Sequence, residues 1–107
     1  MKPVDYLPGA RRDFDESVDW YADRSTVAAE RFSNAVDAAL KRVAANPESF
    51  AFVDSRHQEC LVQRFPFRIV FRDEPNSILV VAVAHAKRGY CQLLWMKIFV
   101  RRRFLGL

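Results

Sequence analysis

Residues 64–85, RFPFRIVFRDEPNSILVVAVAH, decide how this chain folds. Phe67, Ile69 and Phe71 share one parity and Arg68, Val70 and Arg72 the other, the period of two that marks a strand with one face turned to a core. Residues 73–77, DEPNS, have turn composition, and residues 78–85, ILVVAVAH, are an almost unbroken apolar run. Apolarity of that length belongs to a strand covered on both faces. The economical reading is therefore an antiparallel hairpin whose second strand lies inside the sheet. Alternation then sets Ile78, Val80, Ala82 and Ala84 on one face and Leu79, Val81, Val83 and His85 on the other. Upstream, residues 60–65, CLVQRF, read as a further strand, and Pro66, which has no backbone donor, belongs at a strand boundary, bulge or edge.

Toward the N-terminus the period changes. In residues 8–25, PGARRDFDESVDWYADRS, the spacing of Ala10, Phe14, Val18 and Tyr21 makes one helical face, with Arg11, Asp15, Asp19 and Asp23 toward solvent. Ser25 and Thr26 are competent N-caps, and after them Ala28, Phe32, Ala35, Val36, Ala39, Leu40 and Val43 form a second stripe that Pro47 brings to an end. Two such helices on so short a connection pack as a hairpin, and their alanines allow the backbones to approach closely. Residues 2–7, KPVDYL, read as a short first strand. Residues 47–59, PESFAFVDSRHQE, follow neither period and read as an irregular connection, helical at most at its start, with Phe50 and Phe52 tucked beneath it.

A helical hairpin laid on one face of the sheet satisfies both amphipathic sets at once. The expected architecture is a two-layer α+β body in the order β-α-α-β-β-β, one domain spanning residues 1–107. The last residues, 86–107, read either as a final helix on the sheet or as a segment that awaits a partner. Leu93, Leu94, Trp95, Ile98 and Phe99 are too apolar for water, while Arg101, Arg102 and Arg103 resist unpaired burial.

Composition narrows the function. A chain of 107 residues, half of them hydrophobic, has room for one modest core and none for a separate cofactor domain. Residues 1–84 carry 11 basic and 13 acidic side chains, whereas residues 85–107 carry six basic ones and no acid. That asymmetry points to a negatively charged partner near the C-terminal third. No secretory pattern opens the sequence, so Cys60 and Cys91 are expected as reduced thiols in the cytoplasm. The longest uncharged run is strand-length, which argues against a membrane span. His57, Cys60, His85 and Cys91 match no compact zinc spacing, and no glycine-rich anion loop or helix-borne nucleophile is present, so neither metal nor cofactor is expected.

Residues 10–25, 28–50, 60–72 and 78–88 together resemble the ParE/RelE superfamily of toxins from type II toxin–antitoxin systems. The most specific part is RFPFRIVFR followed by a strand that ends AVAHAKR, which is similar to the ParE-like, plasmid-stabilisation branch. The resemblance implies an acidic antitoxin that wraps an extended or helical segment around the body in a toxin–antitoxin hetero-oligomer, and the exposed apolar patches and open sheet edges expected of the unpaired chain invite a homodimer. For the ParE-like branch it implies inhibition of DNA gyrase. For the RelE-like branch it implies ribosome-dependent cleavage of messenger RNA, which would draw on Arg68, His85, Lys87, Arg88 and Tyr90. Metal-free RNA cleavage needs a base for the 2′-hydroxyl, cations for the phosphate and an acid for the leaving oxygen. Arg64, Arg68 and Arg72, with Leu93, Leu94, Trp95, Ile98 and Phe99, are the expected partner contacts, on the helix-free side of the sheet, its edges and the tail. After Arg88 the sequence departs from the branch pattern, which also admits a chain that binds its partner without toxicity.

Overall fold

The computed structural model describes residues 2–85. Strand β1 (Val4–Tyr6) passes through Leu7 directly into helix α1 (Pro8–Ala22), with Pro8 in the first turn, where its missing N–H costs no hydrogen bond. Ser25 starts helix α2 (Thr26–Ala45), its Oγ accepting the Ala28 N–H at 3.2 Å. Pro47 follows the end of α2 and opens a 3-10 turn, Pro47–Ser49. Strands β2 (Gln58–Leu61), β3 (Phe67–Asp73) and β4 (Ile78–His85) complete the sheet.

The spatial order is β1-β4-β3-β2. The β2–β3 and β3–β4 pairs are antiparallel, as expected, while β1 adds to β4 in parallel over Val4↔Ile78 to Tyr6↔Val80. β4 is therefore an inner strand. Lys2 fastens the start of the chain to the β3–β4 turn, its Nζ 2.5 Å from Asp73 Oδ1 and donating to the Glu74 carbonyl at 2.8 Å.

The face assignment of β4 needs correction. Phe71 pairs with Val80 but Val70 pairs with Ala82, so Val81 is an extra residue, a β-bulge that shifts parity halfway along the strand. Ile78, Val80 and Val83 accordingly share the helix-covered core with Phe67, Ile69 and Phe71, and His85 is placed opposite Phe67 on that same side. The physical cause is the apolar run itself: with no polar residue in 78–84, nothing local penalises a change of face.

Phe32, fully buried, sits at the middle of the layer between helices and sheet. Its ring lies 5.9 Å from Phe14, 5.1 Å from Tyr21, 5.4 Å from Phe65 and 4.8 Å from Phe67. Ala10, Ala29 and Ala39 are buried as well, the close-approach positions of the helix pair, with Ala29 rather than Ala28 turned inward. Aromatic contacts of this kind contribute about 0.5–1.5 kcal/mol each beyond their area.

Three further expectations change. The strand read at residues 60–65 begins earlier and ends sooner, because Gln58 already pairs with Phe71 and the chain turns after Leu61. Phe52 is 62 % exposed. Gln58 takes the inner place, donating from Nε2 to the carbonyls of Pro47 at 2.7 Å and Phe50 at 3.1 Å, while Phe50 stacks edge-on to Phe71. Finally, the helix-free side of the sheet is not open at its centre: Val70, Val81, Ala82 and Ala84 are buried there, and Leu7 packs against Val70, Val81 and Ala82.

Candidate functional site

Where the sheet ends at β1, apolar residues from three elements meet. Val4 and Tyr6 of β1, Phe14 of α1, and Val36, Leu40 and Ala44 of α2 line a groove of about 550 Å³. The strand's amphipathic parity and the helices' 3.6-residue period aim these side chains at one another. Lys2, Arg11, Lys41 and Asp37 form its rim. Each cation has an acid close by: Asp73 for Lys2, Asp15 for Arg11 at 3.3 Å, Asp37 for Lys41 at 3.2 Å. Such exposed pairs contribute only about 0–1 kcal/mol each, so a partner's carboxylates can replace them at little cost. The Arg11 guanidinium also stands 5.5 Å from the ring centres of Tyr6 and Phe14. Burial pushes the Tyr6 hydroxyl pKa up; Arg11 opposes this and Asp37 and Asp15 add to it, which leaves a neutral phenol as donor or acceptor in the groove wall.

Arg68 and Arg72 share one parity of β3, and Arg64 stands apart from them. Arg64 lies in the β2–β3 loop with φ of 69°, off the strand. Arg68 Nη1 is 3.4 Å from Glu59 Oε2 on β2, and its Nε is buried without a hydrogen-bond partner. Arg72 Nη2 is 2.7 Å from Glu74 Oε1, a local brace across the turn.

Arg68 and His85 are also kept apart. Arg68 pairs across with Ala84, and the neighbouring Phe67 pairs with His85, whose ring stands edge-on to Phe67 at 5.0 Å. Successive residues of a strand point to opposite faces, so the arginine and the histidine flank the sheet rather than share one phosphate. Lys87, Arg88, Tyr90, Leu93, Leu94, Trp95, Ile98 and Phe99 lie outside the described residues, as does Cys91.

Sequence reasoning missed two carboxylates. Asp54 holds a short loop closed: its Oδ1 accepts the backbone N–H groups of Arg56 and His57, each at 2.7 Å, and both its oxygens lie 3.0 Å from His57 Nδ1. Burial works against its ionisation, but the hydrogen bonds from Arg56 and His57 win, and its pKa falls below the ordinary value. An Asp followed two and three residues later by turn-forming backbone donors is the signal that could have found it. Asp13 of α1 goes the other way: burial, with Glu16 adding, raises its pKa against Arg12 and a hydrogen bond from the Val83 backbone. Cys60 is buried, and burial lifts its thiol pKa despite Arg42, whose Nη2 is 3.8 Å from Sγ, so it stays a protonated thiol at neutral pH. Among the described residues no group of three or more His, Cys, Asp or Glu side chains could hold a metal ion, and no helix is long and apolar enough to cross a membrane.

An α-hairpin laid on a four-stranded sheet, with an apolar groove at the β1 edge, defines a class of small two-layer α+β proteins. The chain resembles a chain of the chromosomal ParDE toxin–antitoxin system of P. aeruginosa, with a TM-score of 0.69 at 16 % identity over 81 % of this chain and 98 % of that one. It also resembles the YoeB dimer structure from Staphylococcus aureus, with a TM-score of 0.54 at 12 % identity over 76 % of this chain and 92 % of that one. No curated protein matches it. The family model for the ParE toxin of the type II toxin–antitoxin system, parDE, matches residues 4–90, and the chain belongs to that family.

Proposed function

We propose that this ParE-family chain arrests growth by binding and inhibiting DNA gyrase, and that an acidic antitoxin segment silences it in the cytoplasm as a hetero-oligomer. The observation that carries the binding mode over RNA cleavage is the placement of Arg68 and His85 on opposite faces of the sheet. A phosphate gripped by Arg68 would be screened from His85 by the sheet itself. Arg68 is moreover engaged by Glu59.

Silencing falls to the groove at β1. Its apolar floor supplies burial, Lys2, Arg11 and Lys41 supply charge complementary to acids, and β1 is an edge strand that an extended segment can pair with. Apolar burial gives the affinity, and the rim cations speed and orient the encounter.

The test is direct. Purified protein is added to gyrase and relaxed plasmid with ATP, and in parallel to ribosomes programmed with message. Blocked supercoiling with intact message is the expected result. Cuts in the ribosomal A site that disappear in Arg68→Ala, with gyrase unaffected, would replace this reading with the nuclease.

A further inference from the structure

Arg64 is the one non-glycine residue among the described residues with positive φ, 69°. Its neighbours explain the backbone. The Val62 N–H donates to the Phe67 carbonyl at 3.0 Å, closing the loop, and the Phe67 N–H donates to the Phe65 carbonyl at 2.8 Å around Pro66. Phe65 is turned down between Tyr21 and Phe32, edge-on to both at 5.3 and 5.4 Å. To seat that ring ahead of a proline, the chain must pass through the left-handed region at residue 64, where glycine is unstrained and a branched-off Cβ is not.

The chain places an arginine there instead. Arg64 is exposed, and among the described residues its side chain makes no ion pair or hydrogen bond that repays the strain. Phe65, seated between Tyr21 and Phe32, and the ring of Pro66 hold the loop, which fixes where the Arg64 side chain leaves the backbone before any partner arrives. The tip packs through Tyr21 against the last turn of α1, where Trp20 is 42 % exposed and carries the Arg24 guanidinium 3.5 Å above its ring. Exposed Trp and Arg side by side are the residue types that dominate binding energy at protein interfaces. Asp19 and Asp23 are exposed on that same turn. Two cations, Arg64 and Arg24, beside two acids among the described residues are not a track for a phosphate backbone, which needs several cations in succession. Arg64 fits a single carboxylate on a protein.

Resting on the gyrase reading above, we infer that Arg64 is a target-contact residue whose guanidinium meets a carboxylate of the gyrase protein, at the end of the sheet away from the antitoxin groove. The Lys2 rim of that groove is tied to Asp73 at the far end of β3, roughly 20 Å along the strand from the loop.

Arg64→Gly tests this, because it relieves the backbone while deleting the side chain. Binding to DNA-free gyrase is measured for the parent, Arg64→Gly and Arg64→Lys, alongside thermal midpoints. Arg64→Gly is expected to keep or raise the midpoint, yet bind about 10- to 100-fold more weakly, the loss of one charge-assisted hydrogen bond, with Arg64→Lys recovering part of it. Parent-like binding by Arg64→Gly overturns the inference and leaves the gyrase reading standing. So does a loss seen only when DNA is present, which would assign the contact to phosphate. A fall in the midpoint of Arg64→Gly by ten degrees or so overturns the strain argument. A parent that does not bind gyrase at all overturns both readings.

Discussion

Asp54 and His57 are locked together at the entrance to β2: the imidazole Nδ1 lies 3.0 Å from each carboxylate oxygen, and the same carboxylate accepts the His57 backbone N–H at 2.7 Å. His57 is 3 % exposed, so the pair fixes the loop from inside. Asp54→Ala is expected to cost about 1–3 kcal/mol in urea unfolding at pH 7 by removing the acceptor of several donors at once. The pH dependence has a definite sign. Because the folded-state pKa of Asp54 is depressed, its contribution is present above the unfolded carboxylate value, about 3.9, and is lost as pH falls through the lower folded value. The gap between parent and Asp54→Ala should therefore hold from pH 7 down to about 4 and narrow only below that. A gap that is constant down to pH 2 would show that the carboxylate's charge contributes nothing.

The β2–β3 loop is pinned by one ring. Phe65 stands edge-on to Tyr21 and Phe32 and is half-buried among the core aromatics. Phe65→Ala should destabilise by about 2–3 kcal/mol, below the full range for a wholly buried phenylalanine. It should also release the need for positive φ at Arg64. In amide hydrogen exchange, Val62 and Phe67, whose N–H groups close the loop, are expected to lose protection in this variant while the β3–β4 amides keep theirs. Unchanged protection at Val62 would mean the loop holds its shape without the ring.

The elements whose cause is local were legible in the sequence. Ser25 caps α2, Pro8 opens α1, and Phe14, Val18 and Tyr21 all pack on the core, because caps and the helical period act within a few residues. What escaped has non-local causes. The Val81 bulge is invisible in a run that is apolar in both parities. Gln58 replaces Phe52 inside because carbonyls of Pro47 and Phe50 satisfy its amide, a pairing no period announces. The groove escaped for the same reason: Tyr6, Phe14 and Leu40 come from three elements and become neighbours only when β1 adds in parallel to β4. Arg68 was legible as a site residue by type, but its separation from His85 depends on the bulge that reverses the second half of β4.

The Ser25 cap offers a calibrated check on the hairpin. Its Oγ accepts the Ala28 N–H at 3.2 Å at the junction of α1 and α2. Ser25→Ala should cost about 1 kcal/mol, and Ser25→Gly only a few tenths, in denaturant melts. Equal losses for the two would mean that the hydroxyl is not the capping group and that the turn is held by the Ser25 and Arg24 N–H bonds to the Tyr21 carbonyl instead.

The groove rim gives the last prediction. Lys41 lies on the exposed side of α2, 3.2 Å from Asp37, and faces the space that the proposed antitoxin segment occupies. Reversing it to Glu places like charges four residues apart on the helix, which costs about 0.2–0.5 kcal/mol and leaves the fold intact. For an acidic segment that approaches the groove, the change replaces attraction by repulsion at the rim. Rim charges act mainly on the encounter step, so Lys41→Glu should slow association with the cognate antitoxin by about tenfold at low salt and change dissociation little. Because screening shortens the reach of exposed charges, parent and variant should converge as salt rises to about 1 M, where the Debye length falls to about 3 Å. Stopped-flow association at several salt concentrations measures both effects. An association rate that is the same for parent and Lys41→Glu at low salt would place the antitoxin on another surface of the molecule.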